Sequence, residues 1–66
     1  MNQRINFSQL LQEIRLETSC QLLIETDIKI TELCENVGYH NESYYINIFR
    51  KKHGITPLQY RKKYRK

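Results

Sequence analysis

Ser43, Ile46, Asn47 and Arg50 recur at steps of three and four residues. On a helix that turns about 100° per residue they share one face. None forms a nucleophile–base pair, so the chemistry open to them is recognition. The Asn47 carboxamide can pair in bidentate fashion with adenine N6 and N7, and Ile46 can meet a thymine methyl. The Arg50 guanidinium can take guanine O6 and N7 or a phosphate, and the phosphate is favoured because phosphates receive half or more of such hydrogen bonds. The plain alternative for Asn47 is a solvated helix residue.

The flanking pattern supplies what would position that face. Tyr45, Ile48, Phe49 and Lys52 fall on the opposite side of the same helix, expected from Glu42 to Lys52. Ahead of it, Ile30, Leu33, Cys34 and Val37 follow i, i+3, i+4, i+7 spacing and predict a short helix from Ile30 to Val37. Gly38 can end that helix in the left-handed conformation, and Asn41 can cap the next. Tyr39 in the turn is expected to dip into the core and fix the angle between the two helices. Two short helices joined by a glycine turn, the second with a polar outer face, form a DNA-binding helix-turn-helix layout.

The remaining elements also read as helix. Asn6 with Gln9 predicts a capping box, Ile5 with Leu10 a hydrophobic staple, and the helix they open is expected from Phe7 to Glu25. Its apolar band is wide, taking in Phe7, Leu10, Leu11, Ile14, Cys20, Leu22, Leu23 and Ile24. Such a band calls for more than one packing partner. Thr26 and Asp27 break the pattern. His53-Gly54 reads as another glycine stop, and Thr56-Pro57 with Gln59 as a capping-box start for a last helix to about Tyr64.

Charge is unevenly divided. The first 35 residues carry net −3 and the remaining 31 net +7, which points the C-terminal half toward a polyanion or makes it a solvated basic face. Lys51, Lys52, Arg61 and Lys62 are the candidate phosphate-facing cations. The helix start at Thr56-Pro57 adds backbone N–H groups, with Thr56 or Gln59 as side-chain donors. The Tyr44 hydroxyl, at the edge of the recognition face, is a further candidate for phosphate. Glu42 suits the helix dipole and can accept from cytosine N4, the capping role being favoured. Lys63, Arg65 and Lys66 read as a frayed tail.

Other chemistries lack their residues. Cys20 and Cys34 stand on apolar stretches without metal-ligand spacing, so two reduced core residues are expected. His40 and His53 have no partner cysteine or acid at ligand spacing and read as surface or turn residues. No catalytic triad, carboxylate pair or glycine-rich phosphate loop is present, so neither an enzyme nor a bound cofactor or metal is expected. No run approaches the roughly 20 apolar residues of a membrane span, and no signal peptide pattern occurs, predicting a soluble cytoplasmic protein with no membrane partner.

The run Ile30-Thr-Glu-Leu-Cys-Glu-Asn-Val-Gly-Tyr39, then Asn41-Glu-Ser-Tyr-Tyr45, Phe49-Arg-Lys-Lys52, Gly54, Thr56-Pro57 and Tyr60-Arg61, is a specific pattern. It resembles the second helix-turn-helix signature of AraC/XylS-type bacterial transcription regulators. Upstream, Arg15-Leu16 with Ser19, Leu22, Leu23 and Thr26 is similar to the long helix linking that family's two helix-turn-helix units, so the resemblance covers residues 6 to 62. It implies that Glu42 to Lys52 is a recognition helix, with Glu42, Ser43, Ile46, Asn47 and Arg50 toward the bases. It also implies that a first unit, and an effector or receiver domain, lie elsewhere in a longer regulator. Ile46 and Asn47 depart from the family's usual small polar residue and arginine, and the lost arginine predicts weak binding by this half. Tyr45 replaces the usual Phe, and Ser19 and Cys34 replace usual alanines, changes harmless to the fold.

The expectation is therefore an all-α, homeodomain-like chain. It is a single partial DNA-binding domain over 1–66, with a linker helix at 6–26 and a helix-turn-helix unit plus C-terminal helix at 28–66. Its expected partner is double-stranded DNA. The competing reading is a protein-interaction or dimerisation module that has kept the fold, with weak self-association through the negative N-terminal half.

Overall fold

Two of the helices are too short to stand alone in water, so packing has to hold them. A computed structural model describes residues 6–65, which form α1 (Phe7–Glu25), α2 (Ile30–Asn36), α3 (Glu42–His53) and α4 (Pro57–Tyr64). No strand occurs among the described residues. The all-α fold is as the sequence predicts.

Local signals account for most of the boundaries. Asn6 caps α1, but its Oδ1 accepts from the Ser8 N–H at 2.8 Å and not from Gln9, so the expected capping box does not form. The Ile5 side of the expected staple lies outside the described residues. Val37 is the C-cap of α2 and not its last residue. Gly38 then takes φ +103° and Gly54 φ +84°, both left-handed. Asn41 caps α3 through Tyr44 N–H at 2.9 Å. At α4 the capping box is complete: Gln59 N–H donates to Thr56 Oγ1 at 3.2 Å, and Thr56 N–H donates to Gln59 Oε1 at 3.0 Å.

Leu16, Leu23, Leu33, Cys34, Val37, Tyr39, Tyr45 and Phe49 form the buried core. Each large apolar side chain buried in it contributes about 1.5–3 kcal/mol, which outweighs the propensity of so short a helix. Tyr39 fills the place expected of it. On α1 the buried stripe is Leu16, Ser19 and Leu23, while Phe7, Leu10 and Ile14 stay 74%, 41% and 53% exposed. The wide apolar band is thus split into a packed face and an open flank.

An aromatic ladder runs from the turn along the inner side of α3 to α4. Ring centroids are 5.9 Å apart for Tyr39–Tyr45, 5.8 Å for Tyr45–Phe49 and 5.4 Å for Phe49–Tyr60. It fixes the rotation of α3 about its own axis, and therefore which residues face outward.

The end of α1 carries no glycine. Its carbonyls are taken instead by α4: Arg61 donates through Nε to Leu23 O at 2.9 Å, and through one terminal nitrogen to Thr26 O at 3.1 Å and Ile28 O at 2.8 Å. Arg65, expected in a frayed tail, is instead held in place. It pairs with Asp27 at 2.6 Å and donates to Thr26 O at 3.3 Å. That pairing holds the Asp27 carboxyl below the usual carboxylate range.

Candidate nucleic-acid interface

α3 is built as a two-sided helix. Tyr45 and Phe49 point into the core, and Ser43, Asn47 and Arg50 lie exposed along the other side. Glu42 stands in the first turn, with Arg50, Lys51, Lys52 and His53 in the last. Both placements suit the helix dipole.

Most of the expected site residues fall on the open face of α3 or on one of its two flanks. Ser43, Asn47 and Arg50 share the open face. Glu42, Ile46 and Thr56 meet on one flank of it, in a recess of about 280 Å³ also lined by Ile30, Pro57 and Leu58. Ile46 is half-buried and packs against the core, so only part of it reaches that face. Glu42 accepts from Thr31 Oγ1 at 2.9 Å, tying α3 to α2.

Tyr44, Lys51 and Lys52 border a groove on the other flank, with Gln12, Glu13, Leu16 and Ile48. Lys52 turns furthest that way, beside Leu10, Glu13 and Glu17 of α1. By helix geometry it lies about 200° round from Arg50, two residues earlier. At the start of α4, Thr56 and Gln59 cap each other, and Gln59 and Lys62 are exposed.

Arg61, expected with the phosphate-facing cations, stands apart from them. Three carbonyls take three of its five N–H donors, and it is half-buried against the end of α1. A residue shared among carbonyls of three different positions carries no local sequence signal.

Two further groups escaped the sequence reading. His53 does have a cysteine partner: its Nε2 stands 3.5 Å from Cys20 Sγ, across 33 residues of chain. Burial pushes the His53 imidazole down and the Cys20 thiol up where the two meet in a groove beside Tyr60. Among the described residues, no three His, Cys, Asp or Glu side chains come together to hold a metal ion. Arg15 is the other. It lies over the Tyr39 ring with its guanidinium carbon 5.4 Å from the centroid, and a Cβ on Gly38 would come within 2.8 Å of its Nε.

Comparison with known proteins places this geometry. A family described as "Helix-turn-helix domain" matches residues 2–63. The regulator Rns of Escherichia coli is 34% identical over 59 residues, which are 89% of this chain and 22% of that protein. The chain belongs to the AraC/XylS-type helix-turn-helix family.

Another similar AraC-type protein is the HTH-type transcriptional regulator GadX of Escherichia coli K12, 36% identical over 88% of this chain and 21% of its own length. The chain thus spans about a fifth of the length of these relatives. Among solved structures it is similar to the C-terminal domain of AraT, a response regulator from Geobacillus stearothermophilus. That match has TM-score 0.89 and 39% identity, and covers 94% of this chain and 51% of the other. The C-terminal domain of the response regulator yesN from Fusobacterium nucleatum matches with TM-score 0.83 and 40% identity, over 86% and 55%. About half of each of those domains is therefore present here. In AraC/XylS terms this half is the second helix-turn-helix portion with its linker helix. It is a DNA-binding domain of the kind found in transcription regulators.

Proposed function

We propose that α3 enters the major groove of double-stranded DNA, with Ser43, Asn47 and Arg50 toward base edges and Ile46 and Glu42 at the margin. The observation that carries this reading is the exposure of three hydrogen-bonding residues on one face of a helix whose rotation the aromatic ladder fixes. Lys51, Lys62 and Gln59, with Tyr44 at the edge, supply phosphate contacts. Arg61 is left out of that set, because its guanidinium is turned to the end of α1, where three of its five donors are engaged. The chain acts in the cytoplasm as one half of a two-unit domain. The open flank of α1, Phe7, Leu10 and Ile14, packs against the first unit of the longer regulator.

The same flank favours a second reading, a protein-interaction or self-association module. Fluorescence anisotropy on random-sequence duplex DNA, from low to physiological salt, separates the two. Groove and phosphate docking predicts binding that falls steeply with salt and weakens in Asn47→Ala. Salt-insensitive dimerisation without duplex binding would instead establish the second reading.

A further inference from the structure

We propose that the recess beside Ile46 is a specificity element, in which Ile46 and Leu58 receive the C5 methyl group of a pyrimidine in the major groove. This rests on the DNA-docking reading above and adds to it a base preference on one flank of α3.

Three observations carry it. Leu58, at the second position of α4, is 51% exposed, and Ile30 and Ile46 are half-buried beside it. An apolar side chain left open at a helix start, facing two others, forms a carbon-walled surface. Second, the polar groups on the rim already hold partners within the chain through one atom each. Glu42 Oε1 accepts from Thr31, and Thr56 Oγ1 accepts from Gln59 N–H. Third, no cation lines the recess, and Glu42 puts a carboxylate there. That carboxylate disfavours a phosphate inside the recess, whatever the α4 start offers at its outer edge.

What remains is a base edge. The apolar group that distinguishes bases in the major groove is the thymine methyl. Its chemistry is shared by 5-methylcytosine, whose methyl occupies the same position on the ring. Asn47, adjacent in sequence to Ile46, is set to read an adenine, so the pair of contacts predicts a thymine flanking an adenine in the preferred site.

The test starts by enriching a preferred duplex from a randomised pool with this chain. Each thymine of that duplex is then replaced in turn by deoxyuridine, which removes the methyl alone. At one or two positions binding is expected to weaken about fourfold, the loss that corresponds to one methyl group removed from water. Leu58→Ser is expected to bring that thymine-to-uridine ratio close to one while leaving the helical circular dichroism unchanged, and Leu58→Met to keep it. At the same position, a gain with 5-methylcytosine over cytosine identifies the methyl on either pyrimidine as the ligand, and no gain restricts it to thymine. Duplex binding with no uridine-sensitive position, or a ratio unchanged in Leu58→Ser, overturns this proposal alone. Absence of any duplex binding overturns the docking reading with it.

Discussion

Arg61 reaches back 38 residues to donate through Nε to the Leu23 carbonyl at 2.9 Å, and its terminal nitrogen spans the Thr26 and Ile28 carbonyls. One guanidinium thereby closes the end of α1 and pins α4 across it. The carbonyls at a helix end have no partner within the helix, and a planar fork can serve several at once.

Arg61→Ala is expected to destabilise the fold by about 2–4 kcal/mol, because hydrogen bonds to a charged group are worth about 1.5–3 kcal/mol each and do not add fully. In a domain this small each kcal/mol lowers the unfolding midpoint by about 4–8 °C. Arg61→Lys should recover less than half of the loss, since an ammonium cannot reproduce the fork. Lys62→Ala, one residue away and exposed, should leave the midpoint within about 0.5 kcal/mol of the parent. Thermal unfolding followed by circular dichroism checks all three, and equal midpoints for Arg61→Ala and Lys62→Ala would refute the clamp.

Gly38 and Gly54 both take positive φ, but only Gly38 has a neighbour where a Cβ would go. Alanine at Gly54 costs about 1–2 kcal/mol for the left-handed backbone alone. At Gly38 the same cost is joined by displacement of the flexible Arg15 head from the Tyr39 ring, a cation–π contact worth about 0.5–1 kcal/mol. Gly38→Ala should therefore be the more destabilising of the two in urea titration. Shortening Arg15 to alanine should narrow the difference between them, and an unchanged gap would remove Arg15 from the explanation.

Legibility in the sequence followed the range of the interaction. The caps at Asn41, Thr56 and Gln59 and the stops at Gly38 and Gly54 act over one to four residues, and the residue types alone announced them. The open face of α3 was equally legible, since helical periodicity fixes which residues oppose Tyr45 and Phe49. Cys20–His53 and the Arg61 clamp depend on how α1 crosses α3 and α4, which no local pattern encodes. Lys52 shows the same limit. Helical periodicity already sets it with Tyr45 and Phe49, opposite Arg50, and what the pattern does not supply is its neighbourhood beside Glu13 and Glu17 of α1.

Tyr45 is fully buried, and its hydroxyl finds no hydrogen-bond partner. Ser19 stands nearby, its own hydroxyl donating to Leu16 O at 2.7 Å, but the Tyr45 and Ser19 oxygens do not meet in hydrogen-bond geometry. Burial accordingly pushes the Tyr45 hydroxyl up to about 12. A buried donor left unpaired costs about 1–3 kcal/mol. Tyr45→Phe removes it without disturbing the ring stack, and is expected to stabilise the domain by about 1 kcal/mol in the same urea titration. A loss of stability would mean that the hydroxyl is satisfied in solution, for instance by a bound water.

Arg50 and Lys52 are both basic, close in sequence and exposed, yet they point to opposite sides of α3. Of these two, Arg50 lies on the side that Ser43 and Asn47 share, within reach of a backbone phosphate as well as a base edge, and Lys52 does not. Each phosphate neutralised releases counterions and adds about 0.9 to the slope of log K against log salt. Arg50→Ala should therefore lower that slope by close to one. Lys52→Ala, which removes a charge beside Glu13 and Glu17, should leave it unchanged. Both variants lose the same net charge, so a general field effect would lower the two slopes together. Equal slopes in the two variants would mean that charge alone, and not the orientation of α3, governs binding.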